Sequence, residues 1–198
     1  MKVFFKSKIL FAFILFFGTT LCHGQNLDTR VVEKWNTNRT LSNDDFFLGL
    51  SQSADYLAIG TPVSILAVCL VKGDDKLKKK GLQAALATLG TYGIGYLMKN
   101  SIKRDRPFVT LNTISPIQLK DSYSMPSGST SVAFASATSL TNTFPKWYVA
   151  VPAYTYATAV GYSRIRSGEH YPSDVLVGAV LGTASVWISS KLTRLITK

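Results

Sequence analysis

Histidine and cysteine are scarce in this chain, whose 198 residues include only two of each. His23 and Cys22 lie in an N-terminal segment that we predict to be removed, so the mature protein would keep one imidazole, His170, and one thiol, Cys69. A single cysteine excludes an intrachain disulfide, even in an oxidising compartment. The sequence shows no metal-ligand cluster and no nucleotide-binding loop, so we predict neither a metal nor a cofactor.

Acidic residues are also few, because 11 Asp and Glu accompany 22 Lys and Arg, giving a formal net charge of +11. The N-terminal segment carries three lysines and no acid, so its removal would leave a charge of +8. Such a basic excess is typical of proteins that bind nucleic acid, anionic lipid or an anionic substrate. In an exported chain with long apolar runs, it favours a lipid or an anionic substrate over nucleic acid.

Residues 1–24 have the pattern of a secretory signal peptide. Three lysines precede an apolar run over residues 9–21, and the small residues Cys22 and Gly24 occupy positions −3 and −1 of a cleavage site before Gln25. One alternative is an uncleaved anchor helix, because the apolar run is at the upper end of signal-peptide length. A lipoprotein attached at Cys22 is a weaker alternative, because the bulky Leu21 precedes the cysteine.

Uncharged runs separated by charged segments fill most of the remaining chain. We predict that residues 25–55 form an extracytoplasmic segment with an interfacial amphipathic helix over 46–55, and that residues 56–198 form one helical domain. The apolar runs exceed strand length and are rich in Ala and Leu, which favours helices and predicts an all-α helical bundle. There are five such runs: 56–71, 81–98, 122–144, 147–164 and 175–190.

The distribution of lysine indicates how these helices meet a membrane. The runs are at or slightly below the roughly 20 residues that cross a bilayer, so a soluble bundle is the alternative. However, the segment "VKGDDKLKKK" places five lysines between the first two runs, and basic residues also follow the third and fifth runs. If these are cytoplasmic, about five membrane-spanning helices would bring three other polar segments to the extracytoplasmic face.

Those three segments contain side chains suited to holding a phosphoryl group. They read "KNSIKRDRP" (99–107), "PSGST" (126–130) and "SRIRSGEHYPSD" (163–174). Arginine binds phosphate oxygens in a bidentate manner, and small residues at a helix N-terminus offer free backbone N–H groups to an anion. Each segment alone also fits a structural role, as cations beyond a membrane helix, a turn, or a surface histidine. Their coincidence on one face favours a phosphate site.

His170 can act as a nucleophile on phosphorus if its ring is neutral and correctly oriented. Asp174, four residues later, can accept the proton of the other ring nitrogen, as in a catalytic triad. Because Pro172 suits the first turn of a helix, we predict that His170 lies just before a helix and that Asp174 lies in its first turn.

The three segments resemble the motifs of the type 2 phosphatidic acid phosphatase family, which shares its site with vanadium haloperoxidases and bacterial acid phosphatases. The first family motif is Lys, six residues and Arg-Pro, as in residues 99–107. The second is Pro-Ser-Gly-His, compared with "PSGS" at 126–129, and the third is Ser-Arg, five residues, His, three residues and Asp, as in 163–174.

This resemblance implies an all-helical core and a reaction that requires no metal. It implies that His170 is the nucleophile and that Asp174 supports it. It also implies five phosphate ligands, namely Lys99, Arg106, Ser127, Gly128 and Arg164.

Ser129 departs from the family pattern, which has histidine at this position to protonate the leaving oxygen. A serine hydroxyl is not a comparable acid, and general acid catalysis is typically worth about 10² to 10⁴ in rate. Three outcomes stay open. In the first, Glu169, Asp105 or water acts as the acid in place of histidine. Otherwise the leaving group of the substrate needs little protonation, or the site binds phosphate without turnover. A haloperoxidase is the weakest reading, because its chemistry would use the same missing histidine.

The sequence and the resemblance together predict a membrane phosphatase that hydrolyses a lipid phosphate or lipid diphosphate through a phosphohistidine intermediate. We expect it in the bacterial cytoplasmic membrane, with its site facing the periplasm. The family's substrates include phosphatidic acid, phosphatidylglycerol phosphate, polyprenyl diphosphates and lipid A, and the sequence does not select among them. The alternatives are a non-catalytic phospholipid-binding relative and a soluble exported acid phosphatase of the same fold.

Overall fold

The computed structural model describes residues 26–196, so the predicted signal peptide lies outside the described range. These residues form helices joined by turns and loops, with no strand among them, which confirms the predicted all-α bundle. Six long α-helices, one single-turn α-helix and one short 3₁₀ helix (Leu41–Asn43) occur among them. The α-helices are α1 (26–37), α2 (Asp44–Lys72), α3 (Asp75–Ile102), α4 (Pro107–Thr110), α5 (Gly128–Thr143), α6 (Trp147–Arg166) and α7 (Pro172–Ile196).

The five predicted apolar runs correspond to α2, α3, α5, α6 and α7, but α2 begins earlier than its run. The helix predicted separately over residues 46–55 is the first part of α2, so the predicted boundary at residue 56 falls inside a continuous helix. The buried positions Ser51, Ala54 and Ala58 explain this continuity, because their spacing keeps one face of the helix against the bundle across that boundary.

Helix α1 was not anticipated, because its sequence is polar and lacks an extended apolar pattern. Its one fully buried apolar side chain, Val32, packs in a cluster with Ile165 and Tyr171. Further along, the Asn36 side-chain amide donates to the backbone carbonyls of Ser115 and Arg166, at 3.0 Å in each case. These contacts fasten α1 across the end of the bundle where α6 ends and α7 begins.

Helix α5 is central, because it packs against α2, α3, α6 and α7. Its approach to α7 is close enough to require glycine: a Cβ atom on Gly178 would lie 2.7 Å from the carbonyl oxygen of Ser127. A Cβ atom on Gly182 would lie 2.0 Å from the carbonyl oxygen of Ser131. Ser127 also donates its backbone N–H to the carbonyl of Asp174 at 3.1 Å. The N-terminal ends of α5 and α7 are therefore fixed to each other.

Two stretches among the described residues, Leu41–Lys72 and Pro172–Leu195, are long and apolar enough to cross a membrane. The other three helices predicted as spans are not, since α5 has only 16 residues and α3 and α6 carry more polar residues. Nevertheless, large apolar side chains are exposed on the outer faces of all of these helices except the central α5: Ile59, Leu70, Leu89, Leu97, Val151, Val180 and Trp187.

Candidate active site

Three cations from different parts of the chain converge at the end of the bundle where α3 and α6 end. Lys99 is in the last turn of α3 and Arg164 is in the last turn of α6, while Arg106 immediately precedes α4. The Arg106 guanidinium donates to the carbonyl of Ser122 at 2.6 Å and to its hydroxyl at 2.9 Å. Lys99 donates to the carbonyl of Tyr123. The loop before α5 thus orients two of the three predicted phosphate-binding cations.

The N-terminus of α5 contributes the non-cationic part of the predicted phosphate site. Ser127 is the N-cap residue, and its hydroxyl pairs with that of Thr130 at 2.9 Å and makes no capping hydrogen bond. Gly128 and Ser129 form the start of the first turn and are half-buried. The first N–H groups of a helix have no partner within it, so an uncapped start of this kind is suited to an anion.

His170 is only 2% exposed and lies directly before α7, which begins at Pro172 with Asp174 in its first turn. This local arrangement confirms the predicted one. The ring Nε2 atom lies 3.3 Å from Nη1 of Arg106, whereas Nδ1 lies on the side of Asp174. Nε2 is therefore the nitrogen that faces the cations.

Burial and, after it, the positive charges of Arg164, Arg106 and Lys99 lower the pKa of His170 well below its usual range. The ring is consequently neutral near pH 7, and one nitrogen keeps its electron pair. A neutral imidazole facing guanidinium groups is in the state that nucleophilic attack on a bound phosphoryl group requires.

Asp174 is fully buried and its carboxylate has two close partners other than histidine. Oδ1 accepts from Nη1 of Arg104 at 2.7 Å, and Oδ2 accepts from the backbone N–H of Tyr171 at 2.9 Å. The predicted bond to His170 is not formed in this structure, since Nδ1 and Oδ2 are 3.6 Å apart. The two groups face each other at slightly more than hydrogen-bonding distance.

Three buried polar atoms around this site have no hydrogen-bond partner in the described part of the chain: Nε of Arg164, Oε1 of Glu169 and Nδ1 of His170. Buried polar atoms in proteins nearly always have a partner, so their clustering indicates a place for a ligand or water. Nε of Arg164 and Oε1 of Glu169 offer such a group one donor and one acceptor, whereas Nδ1 of His170 faces Asp174.

Sequence reasoning gave Glu169 only a possible acid role, yet its side chain is fully buried at the centre of the site. Its Oε2 accepts from Nη2 of Arg164 and lies 3.8 Å from Nη1 of Arg106. Asp105, the other carboxyl group considered as a replacement acid, is exposed. Of these two residues, only Glu169 therefore lies within the site.

Lys120 and Asp28 were not identified from the sequence at all. Lys120 is half-buried in the loop before α5, and burial, followed by the charge of Arg164, lowers its pKa. Asp28 reaches the site from α1 and bonds to Arg104. Neither residue belongs to a motif or a fixed spacing, so no signal in a single sequence identifies them.

Lys99 should make anion binding dependent on pH. It lies one residue beyond the apolar run 81–98, and burial, followed by the charge of Arg106, lowers its pKa to about 8. Because deprotonation removes a positive charge, we expect affinity for inorganic phosphate to fall by up to about tenfold per pH unit above that value. Titration calorimetry between pH 7 and 10 measures this dependence. Lys99→Arg should flatten it, and an equally steep dependence in that variant would show that another group titrates.

Proteins of known identity resemble this chain over most of its length. An undecaprenyl-diphosphatase from Sulfolobus acidocaldarius is 29% identical over 182 residues, which cover 91% of this chain and 83% of that protein. The crystal structure of Aquifex aeolicus LpxE matches with a TM-score of 0.74 and 26% identity, covering 83% of this chain and 95% of that one.

A transmembrane PAP2-type phosphatidylglycerolphosphate phosphatase from Bacillus subtilis has the same fold, with a TM-score of 0.75 and 22% identity over 94% of this chain and 95% of that one. The profile of the PAP2 superfamily matches residues 80–198. This region is more than half of the chain and contains all three motifs as well as the convergent site. The chain therefore belongs to the PAP2 superfamily.

Proposed function

We propose that this protein is a membrane phosphatase that hydrolyses a lipid phosphate or lipid diphosphate through a phosphohistidine intermediate. The observation that carries the proposal is the buried, neutral His170, whose Nε2 lies 3.3 Å from Arg106 and faces the cationic side of the site. The name of the Sulfolobus relative, an undecaprenyl-diphosphatase, supports a lipid diphosphate as one substrate class.

In the proposed reaction, the terminal phosphoryl group is held by Lys99, Arg106, Arg164 and the start of α5 at Ser127 and Gly128. Nε2 of His170 attacks phosphorus, the N–P bond forms, and the bond to the bridging oxygen breaks with its electron pair remaining on that oxygen. Water then attacks phosphorus, the N–P bond breaks, and inorganic phosphate leaves. In this proposal Asp174 offsets the positive charge that the ring acquires in the intermediate.

Ser129 points to the diphosphate as the preferred substrate. A monoester expels an alkoxide, which needs a proton strongly, since a comparable oxygen acid, water, has a pKa of about 15.7. A diphosphate instead expels a phosphate group, whose second pKa is about 6. A site that has its nucleophile and cations but lacks the family's histidine acid is therefore better suited to the second leaving group.

We further propose that residues 1–24 are a signal peptide and that α2, α3, α5, α6 and α7 cross the cytoplasmic membrane. The site would then face the periplasm. The exposed apolar side chains on the outer helices support contact with lipid. The lysines within residues 76–80 lie at the N-terminal end of α3, and Lys99 lies near its C-terminal end. If α3 crosses the membrane, these lysines are on the cytoplasmic side when the site is on the periplasmic side.

This topology predicts opposite labelling of two single cysteines. With Cys22 and Cys69 replaced by serine, Asp121→Cys, in the loop before α5, should react in intact spheroplasts with a membrane-impermeant maleimide. Lys78→Cys, in the lysine segment, should react only after the membrane is opened. Both native side chains are exposed, so a difference in labelling between the two positions would not result from burial. Reaction of position 78 in sealed spheroplasts while position 121 is protected would invert the topology.

Phosphate release from the detergent-solubilised protein tests the proposed activity, using lipid monophosphates and diphosphates matched in their apolar chains. Release that is absent from His170→Ala supports the phosphatase. The second candidate, a non-catalytic phospholipid-binding relative, is favoured by Ser129 alone, because this residue replaces the family's acid. Binding of the same lipids without any release would favour this candidate, and release without any membrane association would favour a soluble phosphatase.

A further inference from the structure

Asp28 is a buried carboxylate that none of the three motifs contains. It lies in α1 and is 7% exposed. Its Oδ1 accepts from the backbone N–H of Ser173 at 3.0 Å, and its Oδ2 accepts from Nη2 of Arg104 at 2.8 Å and from the Ser173 hydroxyl. Asp28 therefore bonds to the first turn of α7 and to the arginine that holds Asp174.

Arg104 is placed between two carboxylates. Its Nη1 donates to Asp174 at 2.7 Å and to the Ser173 hydroxyl at 2.6 Å, while Nη2 donates to Asp28. Its guanidinium carbon lies 4.0 Å from the centre of the Tyr171 ring, a cation–π distance. Arg104 is thus committed to this cluster and does not face the phosphate site directly.

The charges in this cluster have a consequence for His170. Among the described residues, Asp174 is the only one with a carboxylate oxygen within 4.0 Å of a ring nitrogen of His170. Arg104 alone would neutralise it, leaving no net negative charge to offset the positive charge that develops when Nε2 bonds to phosphorus. With Asp28 present, two carboxylates surround one guanidinium, and the cluster keeps a net charge of −1.

We propose that Asp28 is a positioning residue for His170, acting through Arg104 and Asp174. It holds Arg104 and the first turn of α7 in place, and it supplies the charge that Arg104 would otherwise cancel. The kinetic consequence rests on the proposed function, whereas the effect on the histidine ring is independent of any turnover.

Docking of α1 and the charge of Asp28 are separable in this fold. Val32 lies in the same helix and belongs to an apolar cluster with Ile165 and Tyr171. The Tyr171 ring also contacts Arg104, so Val32 supports the packing beside the charged cluster but carries no charge itself. Val32→Ala therefore weakens the docking of α1 and keeps the carboxylate. Asp28→Asn keeps the size of the side chain and an acceptor for the Ser173 N–H, but it removes the charge.

Steady-state kinetics on the full-length protein distinguish loss of the Asp28 charge from weaker docking of α1. We expect Asp28→Asn to lower kcat by about 10- to 100-fold, as is typical when the hydrogen-bonding partner of a metal ligand is removed. KM should not change, because the phosphate-binding cations are untouched. Val32→Ala and the charge-retaining Asp28→Glu should stay within about threefold of the parent. Equal losses in Asp28→Asn and Val32→Ala, or in Asp28→Asn and Asp28→Glu, would overturn the proposal.

A double-mutant cycle with Arg104→Gln tests whether Asp28 affects kcat through Arg104. If Asp28 acts through Arg104, Asp28→Asn should cause little further loss of kcat in the Arg104→Gln background. The same factor in both backgrounds would show that Asp28 acts independently of Arg104 and would contradict the proposed chain of contacts.

Ring ¹⁵N chemical shifts of His170 provide a readout that does not depend on activity. In a His23→Gln background His170 is the only imidazole, so its two ring nitrogens are assigned without ambiguity. At one neutral pH, Asp28→Asn should shift the Nδ1 resonance, while Val32→Ala should not. If the parent releases no phosphate but this shift occurs, the proposed function fails and the positioning role stands. Normal turnover with unchanged kcat and ring resonances in Asp28→Asn would exclude the role.

Discussion

His170→Ala is expected to lower kcat for phosphate release by about 10³-fold or more, since the proposed reaction has no other nucleophile with the same geometry. Binding of inorganic phosphate should remain measurable, because Lys99, Arg106 and Arg164 keep their positions. Single-turnover phosphate release gives the first quantity and titration calorimetry gives the second. Full activity in His170→Ala would show that the nucleophile is assigned to the wrong residue.

Arg164→Lys is the matched control for this prediction, because it changes a ligand instead of the nucleophile. Lysine keeps the charge but loses the guanidinium geometry that bonds to Ser51 and Glu169. Lysine cannot make the second of the two parallel hydrogen bonds of a guanidinium to phosphate, and losing one charge-assisted hydrogen bond costs about 1.5–3 kcal/mol, or roughly one to two powers of ten in affinity. Phosphate binding should therefore fall in Arg164→Lys but persist in His170→Ala. If phosphate binding fell in His170→Ala and persisted in Arg164→Lys, His170 would be the phosphate ligand and Arg164 would not.

Ser129→His should raise monophosphate turnover by about 10²-fold or more, which is the lower part of the range for general acid catalysis. Turnover of the matching diphosphate should rise much less, because its leaving group departs without a strong acid. The comparison requires kcat/KM for two lipids with the same apolar chain. Ser129 is half-buried in the first turn of α5, at the helix start that we propose binds the phosphoryl group.

Two results would contradict this account of Ser129. Equal gains on both substrates, or a native preference for the monophosphate, would show that this position does not set the leaving-group requirement. Glu169, the candidate acid that lies within the site, would then be tested by Glu169→Gln. No activity on either lipid, with none restored by histidine, would favour the non-catalytic relative.

The fold class and the convergence of the three motifs were predictable because both depend on local patterns. Apolar runs longer than a strand predict helices, and alternation of those helices brings "KNSIKRDRP", "PSGST" and "SRIRSGEHYPSD" to one end. Pro172 predicted where α7 begins, because proline is favoured in the first turn of a helix. In the structure α7 begins at the same residue.

The extent of α2 and the role of α1 were not predictable from local pattern. The boundary drawn at residue 56 followed a change in polarity, whereas the helix continues through it because Ser51 and Ala54 face the bundle. Asp28 gives no periodic or motif signal, since its partners Arg104 and Ser173 are distant in sequence. Contacts of this kind become visible only when α1 is placed across the end of the bundle.

The close packing of α5 against α7 at Gly178 and Gly182 limits which residues of the site can be substituted during evolution. Gly178 and Gly182 hold these helices so closely that the helix start at Ser127 and the turn at Asp174 form a single rigid unit. Residues 115–123, none of which is buried, have no such constraint from helix packing, yet they hold Lys99 and Arg106 through backbone carbonyls and include Lys120. Selection for a different headgroup could therefore act on the side chains of this loop while the reacting groups stay unchanged.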